Sequence, residues 1–121
     1  MAIVRAYTLV GCDPEWMGLG PVHATRRLCQ REQIRPADFD TVEINEAFAV
    51  QTLACMGELE LDADRVNPDG GAVALGHPIG ASGARLVVHL AQRIAQGTAR
   101  RALATLCVGG GMGAAMVLES P

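Results

Sequence analysis

The 121 residues predict one α/β domain, a mixed sheet covered by helices in the order β-α-β-α-α-β-β. Three observations point there. Residues 2–10, 101–107 and 112–118 are apolar runs of strand length bounded by glycine or proline turns. Residues 21–32, 46–59 and 81–96 repeat apolar side chains at helical spacing. Half of the residues are hydrophobic, yet only four are aromatic and 14 are glycine, so backbones must approach closely where helix meets sheet. The length suits residues 1–121 as a single domain.

Each element has its own reason. Residues 2–10 are partly β-branched, and Gly11-Cys12-Asp13-Pro14 turns the chain. Residues 15–20 are expected as a loop exposing Trp16 and Met17. Pro21 suits the first turn of a helix that ends near Glu32. Val22, Leu28 and Cys29 face inward there, and Arg26, Arg27 and Arg31 face water. Arg35-Pro36-Ala37-Asp38 breaks that helix, and residues 40–44 are a short strand leading into the helix at 46–59. Ala47, Val50, Ala54 and Cys55 form one stripe, with Phe48, Leu53 and Met56 as a second, which predicts a helix buried on most sides. On spacing alone, Asn45 is the N-cap of that helix.

Residues 58–64 are acidic and solvated, and residues 66–71 turn the chain. The helix at 81–96 carries Ala84, Val87, Val88, Ala91 and Ala95 on one side, with Leu86, Leu90 and Ile94 beside them. Its narrow polar row includes His89, which is given no role, and Gly97 ends it. Residues 101–107 are continuously apolar, so that strand is covered on both faces.

The totals exclude several classes. A net charge of −3 supplies no basic patch for nucleic acid. No uncharged run is long enough for a membrane helix, and the first residues lack a signal-peptide core. Cys12, Cys29, Cys55 and Cys107 contain no Cys-x-x-Cys pair, so no metal site is indicated, and reduced thiols fit a cytoplasmic or organelle-matrix protein.

The most informative stretch is residues 70–85, with five glycines, one proline and one histidine. Pro78 pushes His77 out of the helical region just ahead of the third helix. The loop is expected to be buried or half-buried, with glycines leaving room for a ligand beside His77. Cys107 closes a buried strand and meets Gly109-Gly110-Gly111, which leaves its sulfur approachable. The run Gly109–Ala114 matches G-x-G-x-x-A, but no helix follows, so a dinucleotide site fails on context. Asn45, His77 and Cys107 thus each end a buried element against small residues. Together they suit proton transfer beside a carbonyl, the thiol moving the proton and the imidazole and amide holding an oxyanion.

Asn45-Glu46-Ala47-Phe48, Gly76-His77-Pro78 and Cys107-Val108-Gly109, with their lead residues 32 and 30 apart from Asn45 to His77 to Cys107, resemble the three C-terminal blocks of thiolases. The run from Cys12 to Pro21 is similar to the start of the thiolase C-terminal domain, so the resemblance covers essentially the whole chain. It implies an acyltransferase that makes or cleaves 3-ketoacyl-CoA, with a coenzyme A thioester as substrate and no permanently bound cofactor. It implies that Cys107 is the acid/base at the α-carbon. His77 then binds the thioester oxygen and helps form the nucleophilic thiolate, Asn45 holds a water of that oxyanion site, and the Gly109 N–H serves a second oxyanion hole. The resemblance also implies that Met17 and Phe48 line the acyl and pantetheine pocket. The nucleophilic cysteine is expected in an N-terminal half outside these residues, so the chain alone is expected to be inactive.

A non-catalytic thiolase-like scaffold or lipid-thioester binding module is the alternative, disfavoured by the intact Asn45, His77 and Cys107. The expected partner is an N-terminal thiolase half or a second copy. One sheet cannot cover two widely apolar helices, so Phe48, Met56, Leu86 or Leu90 is expected near that contact.

Overall fold

The computed structural model describes residues 1–121. The chain runs through β1 (Ile3–Gly11), α1 (Gly20–Glu32), β2 (Thr41–Ile44), α2 (Ala49–Glu58), α3 (Ala72–Leu75), α4 (Ser82–Ala95), β3 (Arg101–Val108) and β4 (Met112–Glu119). The strands form one sheet in the order β1-β4-β3-β2. Strand β2 runs parallel to β3, and the other two pairs are antiparallel. The mixed α/β architecture is the expected one, with a four-residue α3 added inside the glycine-rich stretch.

Strand β3 lies inside the sheet and alternates between two cores, as a period of two requires. Leu103 joins Val22, Leu28, Phe39 and Val117 on the α1 side. Ala102 and Ala104 join Leu86, Leu90 and Ile94 of α4 on the other. Gly110 and Gly111 turn β3 into β4 at φ 85° and 84°, where a side chain is disfavoured. A Cβ on Gly111 would also overlap the Cys12 carbonyl, so the hairpin turn seats directly on the end of β1.

The outer edge of β2 is closed by one side chain. Asn67 Oδ1 accepts the Ile44 N–H at 2.9 Å, and Asn67 Nδ2 donates to the Ile44 carbonyl at 2.9 Å. Its own N–H donates to the Val42 carbonyl at 2.9 Å. The amide stands in for a neighbouring peptide and satisfies backbone groups that an edge would leave open.

Five expectations change. Helix α2 starts at Ala49 with Phe48 as its cap residue, so Asn45 is not an N-cap. Residues 46–48 instead cross from β2 to α2. Helix α2 also buries Gln51, Thr52 and Cys55 and leaves Phe48, Val50 and Leu53 exposed, because this chain packs on one side of it only. The loop around His77 is exposed, Ile79 to 89%, since no element of the chain lies over it. In α4 the inward stripe is Ser82, Leu86, Leu90 and Ile94, while Ala84, Val88 and Ala95 face out. Leu86 and Leu90 are therefore core residues of this chain, whereas Phe48 is exposed. The residues expected as a loop at 15–20 are mostly a 3-10 turn, Pro14–Leu19, in which Trp16 is exposed and Met17 half-buried. No helix is long and apolar enough to cross a membrane.

Candidate active site

Asn45 follows β2 directly and is fully buried. Its N–H donates to the Thr105 carbonyl at 3.0 Å, which extends the parallel pairing of β2 and β3 by one residue. Its Nδ2 lies 3.5 Å from His77 Nε2. Its Oδ1 is buried without a partner. His77 comes from the loop between α3 and α4, entered through Gly76 at φ 90°. Its Nδ1 lies 2.6 Å from Ser82 Oγ at the start of α4. The ring is thus held between the end of a strand and the start of a helix. Both belong to the carboxyl end of the parallel pair, the usual place for ligands on such sheets.

A carboxylate fixes the approach of the histidine loop. Glu46 Oε2 accepts the Val73 N–H at 2.8 Å, and Glu46 Oε1 accepts from Asn67 Nδ2 at 3.0 Å. The Gly71 backbone lies so close that a Cβ would overlap this carboxylate. Glu46 therefore ties α3, and the loop after it, to the end of β2. Sequence reasoning passed over Glu46, Asn67 and Ser82. The available signals were a carboxylate adjoining Asn45, an Asn-Pro-Asp-Gly turn, and a serine five residues after His77.

Cys107 lies on β3, two residues beyond Thr105, and is buried. Burial pushes its thiol above the ordinary cysteine range, and the nearby Cys12 adds to this. It makes no hydrogen bond to Asn45 or His77, so the direct contact is between those two, with the thiol one strand over. Gly109 opens the exposed hairpin turn that follows. Met17 sits in the Pro14–Leu19 turn, which is fastened to α2 by a Cys55 Sγ bond to the Gly18 carbonyl at 3.3 Å. Phe48 stands exposed at the start of α2. All four cysteines are free thiols. Burial, helped by Asp38, pushes Cys29 up to about 11, and burial also raises Cys55.

A charged chain runs behind the site. Glu43, fully buried two residues before Asn45, meets His89 Nδ1 at 2.9 Å. His89 Nε2 meets Asp69 Oδ2 at 2.9 Å, and Arg93 donates to the same oxygen at 2.6 Å. Burial pushes the Glu43 carboxyl up, opposed by His89. His89 and Arg93 hold Asp69 below the usual carboxylate range. His89, given no role from sequence, thus joins α4 to β2. The signal lay in the register, since an acidic residue in a buried strand needs a partner on the helix covering it.

Fold and site together define an α/β domain that offers an amide, an imidazole and a thiol at the carboxyl end of a parallel strand pair. The family model for the thiolase C-terminal domain matches residues 1–120, and the chain belongs to that family. It is similar to the acetyl-CoA acetyltransferase of Chromobacterium violaceum, 51% identical over 121 residues, which is 100% of this chain and 31% of that protein. The 3-ketoacyl-CoA thiolase of Vibrio cholerae is 46% identical over 99% of this chain and 32% of its own length. Among solved structures, human mitochondrial 3-ketoacyl-CoA thiolase matches with a TM-score of 0.95 and 42% identity, covering 99% of this chain and 30% of that one. A second structure of that human enzyme is a complex with CoA, at the same TM-score of 0.95. The chain thus spans about three tenths of the length of these relatives.

Proposed function

We propose that these residues supply the C-terminal part of the active site of a thiolase-type acyltransferase acting on 3-ketoacyl-CoA. The observation that carries this reading is the 3.5 Å approach of Asn45 Nδ2 to His77 Nε2, with Cys107 on the adjoining strand. In cleavage, Cys107 protonates the departing enolate at its α-carbon. Burial favours the neutral thiol, which is the form that donates. In condensation the same sulfur, once deprotonated, takes the α-proton, and its raised basicity suits that step. Once its Nε2 has taken the nucleophile's proton, His77 holds the thioester oxygen through that N–H. The unpartnered Asn45 Oδ1 is an acceptor for the water of that oxyanion site. The Gly109 N–H serves a second oxyanion hole, and Met17 and Phe48 line the acyl and pantetheine channel.

We assign the acyl-carrying cysteine to an N-terminal half outside these residues. His77 takes its proton as the thiolate forms. Exposed Phe48, Val50 and Leu53 on α2 support a partner surface for that part, or for a second copy. Together with such an N-terminal half, Cys107→Ala is expected to abolish deuterium exchange into the α-carbon of acetyl-CoA. Acyl loading of the partner cysteine persists, because loading is assigned to His77. Equal loss of both would make Cys107 structural and would favour a non-catalytic module.

A further inference from the structure

We infer that Ser82 is a positioning residue that sets the tautomer of His77, placing the proton on Nδ1 and leaving Nε2 as the working nitrogen. The inference rests on the assignment of His77 above for its consequence in catalysis, and on local geometry alone for the tautomer. Ser82 is fully buried, the first residue of α4 and the first of its inward stripe. Its hydroxyl has two partners, His77 Nδ1 at 2.6 Å and the Pro78 carbonyl at 3.1 Å. A carbonyl oxygen only accepts, so the hydroxyl proton goes to Pro78. The lone pairs of Ser82 Oγ then face Nδ1, and the proton on that short contact comes from the imidazole. The reverse arrangement would set two oxygens 3.1 Å apart with no proton between them.

The other side of the ring agrees. The Asn45 amide nitrogen, a donor, faces Nε2, which is then the acceptor. The Pro78 carbonyl also receives the N–H groups of Ala81 at 2.8 Å and Ser82 at 2.9 Å, so the Ser82 hydroxyl is its third and longest donor. The two residues that act on His77 therefore come from opposite ends of the site, α4 and β2, and both leave Nε2 unprotonated. That is the form able to take a proton from a thiol. An unconstrained neutral histidine favours the opposite tautomer, so the serine does chemical work beyond packing.

Nitrogen-15 NMR of histidine-labelled protein at mildly alkaline pH reads the tautomer directly. His77 is assigned by comparison with His23→Gln and His89→Gln variants. The expected spectrum has a protonated Nδ1 and a pyridine-like Nε2. A protonated Nε2 in the unaltered protein overturns the inference, whatever the activity shows. Ser82→Ala is expected to shift the ring toward Nε2–H and, in the catalytically complete protein, to lower kcat by roughly tenfold to a hundredfold at little-changed KM. Ser82→Thr, which keeps the hydroxyl, is expected to restore both. An Nδ1–H signal that survives Ser82→Ala would also overturn the role of the serine. A correct tautomer in a protein whose His77→Ala variant keeps full activity would sink the catalytic assignment instead, and leave the serine geometry standing.

Discussion

Gly71 shows how one missing atom can hold a site together. It is buried at φ −134°, a backbone conformation open to any residue, so its value is not conformational freedom. Its value is space: the Glu46 carboxylate occupies the position a Cβ would take. Gly71→Ala is expected to push Glu46 off the Val73 N–H and the Asn67 amide. Losing such bonds in a part-buried setting costs about 1–3 kcal/mol. Urea unfolding measures the loss. A midpoint unchanged from the parent would mean that Glu46 swings away freely and does not anchor the histidine loop. The neighbouring Asn45 carries a similar lesson. An asparagine ahead of a helix reads as a cap, but here its backbone continues the parallel ladder and its side chain turns to His77.

Helices α2 and α4 look alike in sequence and are used differently. In α4 one four-residue-spaced stripe sinks completely, and Leu90 is 0% exposed between Ala102, Ala104 and Leu118. In α2 the apolar stripe faces out, with Leu53 65% exposed, while polar Gln51 and Thr52 are buried. Leu90→Ala is therefore expected to cost about 2–5 kcal/mol by leaving a cavity. Leu53→Ser is expected to change stability by no more than about 0.5 kcal/mol. Sedimentation at several concentrations gives the second readout, with self-association weakened by Leu53→Ser. Unchanged association in that variant would remove α2 from the contact. The apolar groove of about 430 Å³ between Tyr7, Leu9, Val87 and Met116 would then be the surface to vary next.

Across the whole molecule, carboxylates fasten the ends of the sheet. The Arg35 side chain and backbone hold Asp38 low. Burial pushes Asp40 up, but the N–H groups of Arg101 and Arg100 outweigh it and hold the group low. Those bonds, 2.9 and 2.8 Å, join the start of β3 to the start of β2. Burial likewise opposes, and Arg101 and Arg5 outweigh, in Glu119. A carboxyl lowered on folding adds stability above its unfolded pKa, and that stability is lost as pH falls through the folded value. Glu43, raised by burial, has the opposite sign and offsets part of the loss. Three tied carboxylates and Asp69 outnumber it. The melting temperature is thus expected to fall steadily below about pH 4, the ordinary carboxylate range. Asp40→Asn is expected to flatten that fall. An equally steep fall in Asp40→Asn would assign the acid sensitivity to other groups.

The sequence by itself determined the strand and helix order, because periods of 2 and 3.6 are local and the glycine and proline turns between them are too. It also pointed to Asn45, His77 and Cys107, since residue type and spacing survive without coordinates. Tertiary structure alone decided which of two adjacent apolar stripes of α2 and α4 turns inward. Both satisfy the same period, and only the sheet breaks the tie. It alone showed Glu46 against Gly71, Asn67 pairing with Ile44 and His89 meeting buried Glu43, contacts between residues 23 to 46 positions apart. A hydrogen bond needs two groups within about 3 Å, and distance in space is what a one-dimensional pattern does not carry.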